Sequence, residues 1–168
     1  QDQDSIIYLT ADNASNFRIC KTSFTTPNVK NPVVLVEEKK DEVIKSFKLV
    51  KGGIFYTTTK NGVEAKVYYL KNNGKTEKIQ LPFSAGKVYL ESKGKKYDYL
   101  RIEILGWLNR TERYSYNFST KKFEPAELIQ SENNDLTKNI VVEELMVPSH
   151  DGEEVPLSLI YNKKIKRD

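Results

Sequence analysis

A strand-like run recurs in this chain at nearly constant spacing, and that repeat limits the available folds more than any other feature. Ile6-Ile7-Tyr8-Leu9-Thr10 is answered by Ile54-Phe55-Tyr56-Thr57-Thr58, a step of 48 residues from Ile6 to Ile54. Leu100-Arg101-Ile102-Glu103-Ile104 follows after a step of 46 from Ile54 to Leu100. The closing run of each unit repeats as well, with Val34 and Ile79 separated by 45 residues. Between these anchors lie further short runs rich in branched and aromatic residues, with Gly, Pro, Asn and Asp punctuating them. Aromatic residues reach 11% of the chain (Tyr 10, Phe 7, Trp 1). Side chains of this kind suit a pleated, half-buried surface rather than a helix.

Grouping the runs gives two units of four strands, Val43–Leu81 and Lys87–Leu128, preceded by three strands of an incomplete unit. Asn61-Gly62 predicts a tight hairpin inside the first full unit, because both residues tolerate positive φ. Short four-stranded units at a period of roughly 40–50 residues predict consecutive blades of a β-propeller. A β-sandwich of about ten strands shares the regular turns and is the alternative. The fold class expected is therefore all-β, a partial propeller of antiparallel blades. The polar stretch Leu128 to Asn139 marks a boundary. Beyond it, Ile140 to Val147 and Val155 to Tyr161 flank a turn at Asp151-Gly152 and read as one more hairpin.

Charge excludes little and favours little. Lys plus Arg is 27 and Asp plus Glu is 23, a net of +4, with the signs interspersed. That is the pattern of a solubilising surface, so no nucleic-acid partner is expected. The basic tail Lys163-Lys164-Ile165-Lys166-Arg167-Asp168 lacks aromatic interleaving and reads as a solvated connector. No apolar run approaches the ~20 residues of a membrane helix, and no membrane partner is expected. Cys20 is the single cysteine. It cannot form an intrachain disulfide, sits in the alternating run Phe17 to Lys21, and reads as a small buried hydrophobe. It favours the cytoplasm, with periplasm or secretion left open. Sequons at Asn13, Asn109 and Asn117 matter only in a glycosylating pathway.

The catalytic inventory is poor. His150 is the sole histidine. Ser149, His150 and Asp151 are neighbours in a turn, where side chains diverge, and a working triad needs convergence. His150 is read as a polar turn residue. No Gly-x-Ser-x-Gly elbow and no phosphate-binding glycine loop occurs. One His and one Cys are too few for zinc. Glu37-Glu38 and Glu143-Glu144 lie along strand-like runs, where successive side chains point to opposite faces. Tyr8, Tyr56, Tyr68, Tyr69 and Tyr89 are read as core or rim packing. Trp107, beside Gly106, is read as buried packing between sheets, with a channel-lining role as the alternative. No catalytic, cofactor-binding or metal-binding residue is assigned, and no cofactor is expected.

The segment from Val141 to Tyr161 resembles the junction of the prolyl oligopeptidase and oligopeptidase B family of serine peptidases, where the propeller passes into an α/β-hydrolase domain. Its hairpin there carries Ser-x-Asp-Gly-x-x-x-Pro, as Ser149-His150-Asp151-Gly152 and Pro156 do here. Ala14-Ser15-Asn16-Phe17-Arg18-Ile19 is similar to a late blade of those enzymes. Arg113-Tyr114-Ser115-Tyr116-Asn117 with Lys122-Phe123 is similar to the final one, although Leu108-Asn109-Arg110-Thr111 replaces the usual Thr-Pro pair. The resemblance implies an incomplete blade at 1–38, blades at 39–82 and 83–130, and a linker with the first hydrolase hairpin at 131–168. It implies a propeller that covers and gates an active site for short peptides, with the catalytic Ser, Asp and His beyond residue 168. The chain alone is then expected to be inactive. Its partners would be the rest of the parent peptidase, short peptides in that parent, and other copies through exposed blade edges. Gln1 at the start and Met146 as the only methionine agree with a chain cut from something longer. A free-standing β-rich binding module is the alternative function. Prolyl and basic cleavage specificity are not separated at this level.

Overall fold

The structure is a computed structural model, and it describes residues 5–108, 111–126 and 139–165. Among these residues every regular element is a strand. The first sheet holds β1 (Ser5–Thr10), β2 (Arg18–Ser23) and β3 (Val33–Val36). The second holds β4 (Val43–Val50), β5 (Gly53–Lys60), β6 (Glu64–Lys71) and β7 (Thr76–Ile79). The third holds β8 (Lys87–Ser92), β9 (Leu100–Leu105), β10 (Glu112–Asn117) and β11 (Lys122–Pro125). β12 (Ile140–Pro148) and β13 (Glu154–Asn162) form a separate hairpin. Strand order within each sheet follows chain order, with antiparallel neighbours throughout. This is the meander of propeller blades, and it excludes the crossovers of a Greek-key sandwich.

The middle blade is buried on both faces, and its sequence shows why β5 lacks alternation. Gly53 to Thr58 are all buried. Phe55, with Val67 and Tyr69 of β6, packs toward the third blade, against Val88, Leu90, Ile102 and Tyr116. Tyr56 and Tyr68 face the first blade, where they meet Ile19 and Val36. A strand covered on both sides needs apolar residues at consecutive positions. The third blade, by contrast, alternates. Leu100, Ile102 and Ile104 are buried, while Arg101 between them is exposed. Its outer face carries the pair Arg113–Glu103, whose Nε and Oε2 lie 3.1 Å apart on directly opposed positions.

Main-chain hydrogen bonds join the blades outside their ladders. Ala65 N donates to Ala85 O at 2.7 Å, and Lys51 N to Tyr97 O at 3.0 Å, which ties the second blade to the third at two places. Ile44 N donates to Asn16 O at 2.9 Å and ties the first blade to the second. The expected hairpin at Asn61-Gly62 is present. Both residues have positive φ, 51° and 75°, and Val63 N closes the turn on Lys60 O at 3.0 Å. β11 ends at Pro125. The polar boundary stretch at 127–138, the sequon at Asn109 and the last three residues of the basic tail lie outside the described residues.

Candidate functional site

The hairpin β12–β13 lies beside the blades rather than apart from them. Asn61 Nδ2, in the β5–β6 turn, is 3.9 Å from Met146 Sδ of β12. Between hairpin and blades lies a cavity of about 370 Å³. Val63, Phe83, Trp107 and Val142 supply apolar walls, and Glu64 and Glu144 supply carboxylates.

Trp107 is 43% exposed, so its expected burial between sheets is corrected. The reason is local. A Cβ at Gly106 would sit 2.9 Å from Phe83 Cε2, so the absence of a side chain lets the Phe83 ring close against the backbone. Phe83 then takes the inner place, packed on the core and edge-on to Tyr114 at 6.4 Å. Trp107 is left at the rim, its indole against Gly86, and lines the cavity.

A second polar constellation lies between the first and second blades. Glu42 ends the connection into β4, and three strand residues donate to it. Thr58 Oγ1 reaches Oε2 at 2.7 Å, Lys66 Nζ reaches Oε1 at 2.8 Å, and Tyr68 Oη lies 3.1 and 3.0 Å from the two oxygens. Antiparallel register explains the convergence. Thr58 is opposite Lys66, and Tyr68 lies two residues further on the same face. Burial opposes charge on Glu42, but the hydrogen bonds from Lys66, Thr58 and Tyr68 outweigh it and hold the carboxyl at about 2. Burial and the bond to Glu42 push the Tyr68 phenol up. Lys39 Nζ stands 4.2 Å from the centre of the Tyr68 ring. A carboxylate held this far down, with all its donors on rigid strands, is suited to fastening a loop and not to proton transfer near neutral pH.

Ser149, His150 and Asp151 form a self-contained turn. Ser149 Oγ is 3.3 Å from His150 Nδ1. Asp151 Oδ1 accepts from Glu153 N at 3.2 Å. That backbone bond, followed by one from the Ser149 hydroxyl, lowers the Asp151 carboxyl below its ordinary range. In a triad the acid holds Nδ1 while the nucleophile uses the other ring nitrogen. Here Ser149 meets Nδ1, so the three side chains do not form a relay.

The remaining candidates divide between packing and surface. Cys20 is fully buried, as expected of a small hydrophobe, and burial pushes its thiol up. Tyr56, Tyr68 and Tyr69 are buried, Tyr8 is half-buried with no hydrogen-bond partner for its hydroxyl among the described residues, and Tyr89 is exposed beneath Lys87. Glu143 accepts from Tyr161 Oη at 3.0 Å and Glu144 from Ser158 Oγ at 2.8 Å. Those two donors lie on opposite faces of β13, so the neighbouring carboxylates do not pair. Asn117 Oδ1 accepts from Ser119 N and Thr120 N inside its own turn, and its Nδ2 donates to Glu124 Oε1 of β11 at 2.8 Å. Among the described residues no cluster of three or more His, Cys, Asp or Glu is placed to hold a metal ion. No helix among them is long and apolar enough to cross a membrane.

Residues 1–128 match the family described as prolyl oligopeptidase, N-terminal beta-propeller domain. The chain belongs to this family. The prolyl endopeptidase of Elizabethkingia meningoseptica is 24% identical over 168 residues, 99% of this chain and 23% of that protein. Among solved structures, one from a study of two prolyl endopeptidases matches with a TM-score of 0.82 at 21% identity, over 99% of this chain and 24% of that one. Prolyl oligopeptidase B from Galerina marginata bound to a 35mer substrate matches at 0.79 and 14%, over 99% and 24%. Oligopeptidase B from Leishmania major matches at 0.77 and 14%, over 97% and 24%. At such identities these structures show the fold. The chain spans about a quarter of the length of these prolyl oligopeptidase relatives. Its match to the family propeller ends at residue 128, before the hairpin β12–β13 begins.

Proposed function

We propose that this chain serves as the closing blades of the propeller in a prolyl-oligopeptidase-type serine peptidase, together with the first hairpin of its α/β-hydrolase domain. In this reading residues 1–38, 39–82 and 83–130 are blades, and 131–168 is a linker with that hairpin. The blades cover the active site and restrict it to short peptides. The catalytic Ser, Asp and His come from a domain outside these 168 residues, which is the chain's main partner.

The observation that carries this reading is the succession of two packed four-stranded blades and a hairpin bearing the Ser149-His150-Asp151-Gly152 turn. The absence of a relay in that turn supports a non-catalytic role for it. The test is to incubate the 168-residue chain with short proline- and arginine-containing peptides. No turnover is expected. Turnover that a serine-directed inhibitor blocks would overturn the proposal. Reading the coding sequence past Asp168 is a second test, in which a Gly-x-Ser-x-Gly motif is expected and an immediate stop codon counts against the reading. Ile6 and Val33 in the strands of the first blade, and Phe24 and Val29 in its β2–β3 connection, expose apolar side chains. Sheet edges and faces of this kind recruit other chains. Self-association of the isolated chain is expected, and a monomer by sedimentation at high concentration would contradict it.

A further inference from the structure

The cavity between blades and hairpin combines three features that together point to a ligand. It has room for a small organic group, about 370 Å³. Its wall includes the chain's one tryptophan, 43% exposed and held at the rim by Gly106 and Phe83. Glu64 and Glu144 reach it from different elements, β6 and β12. An indole is the best aromatic partner for a cation, and carboxylates beside it add direct attraction.

The charges around the site favour a cation. Glu64 lies 3.5 Å from Lys66, but Lys66 is held more closely by Glu42, at 2.8 Å. Of the two carboxylates that line the cavity, Glu64 thus shares its ammonium with Glu42, and Glu144 comes from a separate strand. Ser158 Oγ donates to Glu144 Oε1 at 2.8 Å and orients it from the next strand. A carboxylate accepts several hydrogen bonds at once, so this contact leaves capacity for a ligand. Apolar walls from Val63, Phe83 and Val142 suit an alkyl stem.

We propose that this cavity binds an alkylguanidinium, the group an arginine side chain presents, with the planar cation against Trp107 and its N–H groups on Glu64 and Glu144. A guanidinium fits better than an ammonium because it is planar, stacks on aromatic faces, is weakly hydrated and donates in a fork. The inference stands on the cavity alone and does not depend on the peptidase reading.

The test uses the full 168-residue chain and its intrinsic fluorescence, since Trp107 is the only tryptophan. Titration with butylguanidinium is expected to change the emission saturably, with weaker binding as salt is raised. Butylurea, of similar shape but neutral, is expected to leave the emission unchanged. Glu64→Gln and Glu144→Gln, which preserve the side-chain shape, are each expected to weaken binding about fivefold. A butylguanidinium response that does not saturate, or that survives both substitutions together, overturns the site. An equal response to butylammonium overturns the assignment to a planar cation.

Discussion

The rings of Phe55 and Tyr69 lie stacked, 4.2 Å between centres and 6° from parallel, on directly paired positions of β5 and β6. The same Phe55 ring meets Tyr116 and Phe118 of the third blade edge-on, at 5.1 and 6.1 Å. One fully buried side chain therefore joins a pair within a blade to a contact between blades. Phe55→Ala is expected to cost about 3–5 kcal/mol, from lost transfer energy and the cavity left behind. A denaturant midpoint measures this. A double-mutant cycle between Phe55 and Tyr116 should give a coupling of about 0.5–1.5 kcal/mol.

Glu42 makes stability depend on acid. Its folded value of about 2 lies below its ordinary 4.5, so the folded chain holds the charged form more firmly than the unfolded chain does. The stabilisation is fully present above 4.5 and disappears as pH falls from there through about 2. It amounts to on the order of 3 kcal/mol. Glu42→Gln removes that slope and leaves the Lys66 ammonium without its closest counter-charge. Melting temperatures of the two proteins should therefore differ at pH 7 and converge only below about pH 2.

Alkali acts in the opposite direction. Burial, then the carboxylate of Glu42, pushes Tyr56 up to about 12, and burial with the bond to Glu112 does the same for Tyr114. The folded chain resists losing these protons, so their contribution is intact below 10 and is lost as pH rises through 12. Phenolate absorbance should show a late-titrating group of tyrosines, and unfolding should bring it forward.

Two glycines separate backbone strain from crowding. Gly53 has φ of 152°, and a Cβ there would collide with the Leu70 carbonyl of the paired strand. Gly62 has φ of 75° and open space around a Cβ. Gly62→Ala is expected to cost about 1–2 kcal/mol, the left-handed penalty alone. Gly53→Ala should exceed it by at least about 2 kcal/mol, because backbone must move. Paired thermal melts check the ordering, and equal losses would falsify the distinction.

Local chemistry made the strands legible. Asn61-Gly62 announced its turn because few other residues accept positive φ, and the run Ile54 to Thr58 read as a strand from its branched and aromatic residues, although its burial on both faces did not show. What stayed hidden depended on register. Glu42 stands in a polar stretch that reads as a plain connection. Only the opposition of Thr58 and Lys66 gathers its donors, and no residue type signals that. Trp107 misled for a related reason. An aromatic residue at a strand end reads as core, yet Phe83, twenty-four positions earlier, takes the inner place against Gly106. The Glu64–Glu144 cavity joins residues from two separate parts of the chain, which a linear reading does not bring together.

The bonds from Ala65 to Ala85 and from Lys51 to Tyr97 are made by peptide groups. A joint of that kind is blind to side-chain identity. It fixes the angle between neighbouring blades whatever residues fill their faces. A lineage can then rewrite those faces almost freely while the line along which the blades meet stays put. Relatives matching only 14–21% of these residues still superpose at TM-scores of 0.77 to 0.82. The architecture drifts more slowly than the chemistry it displays.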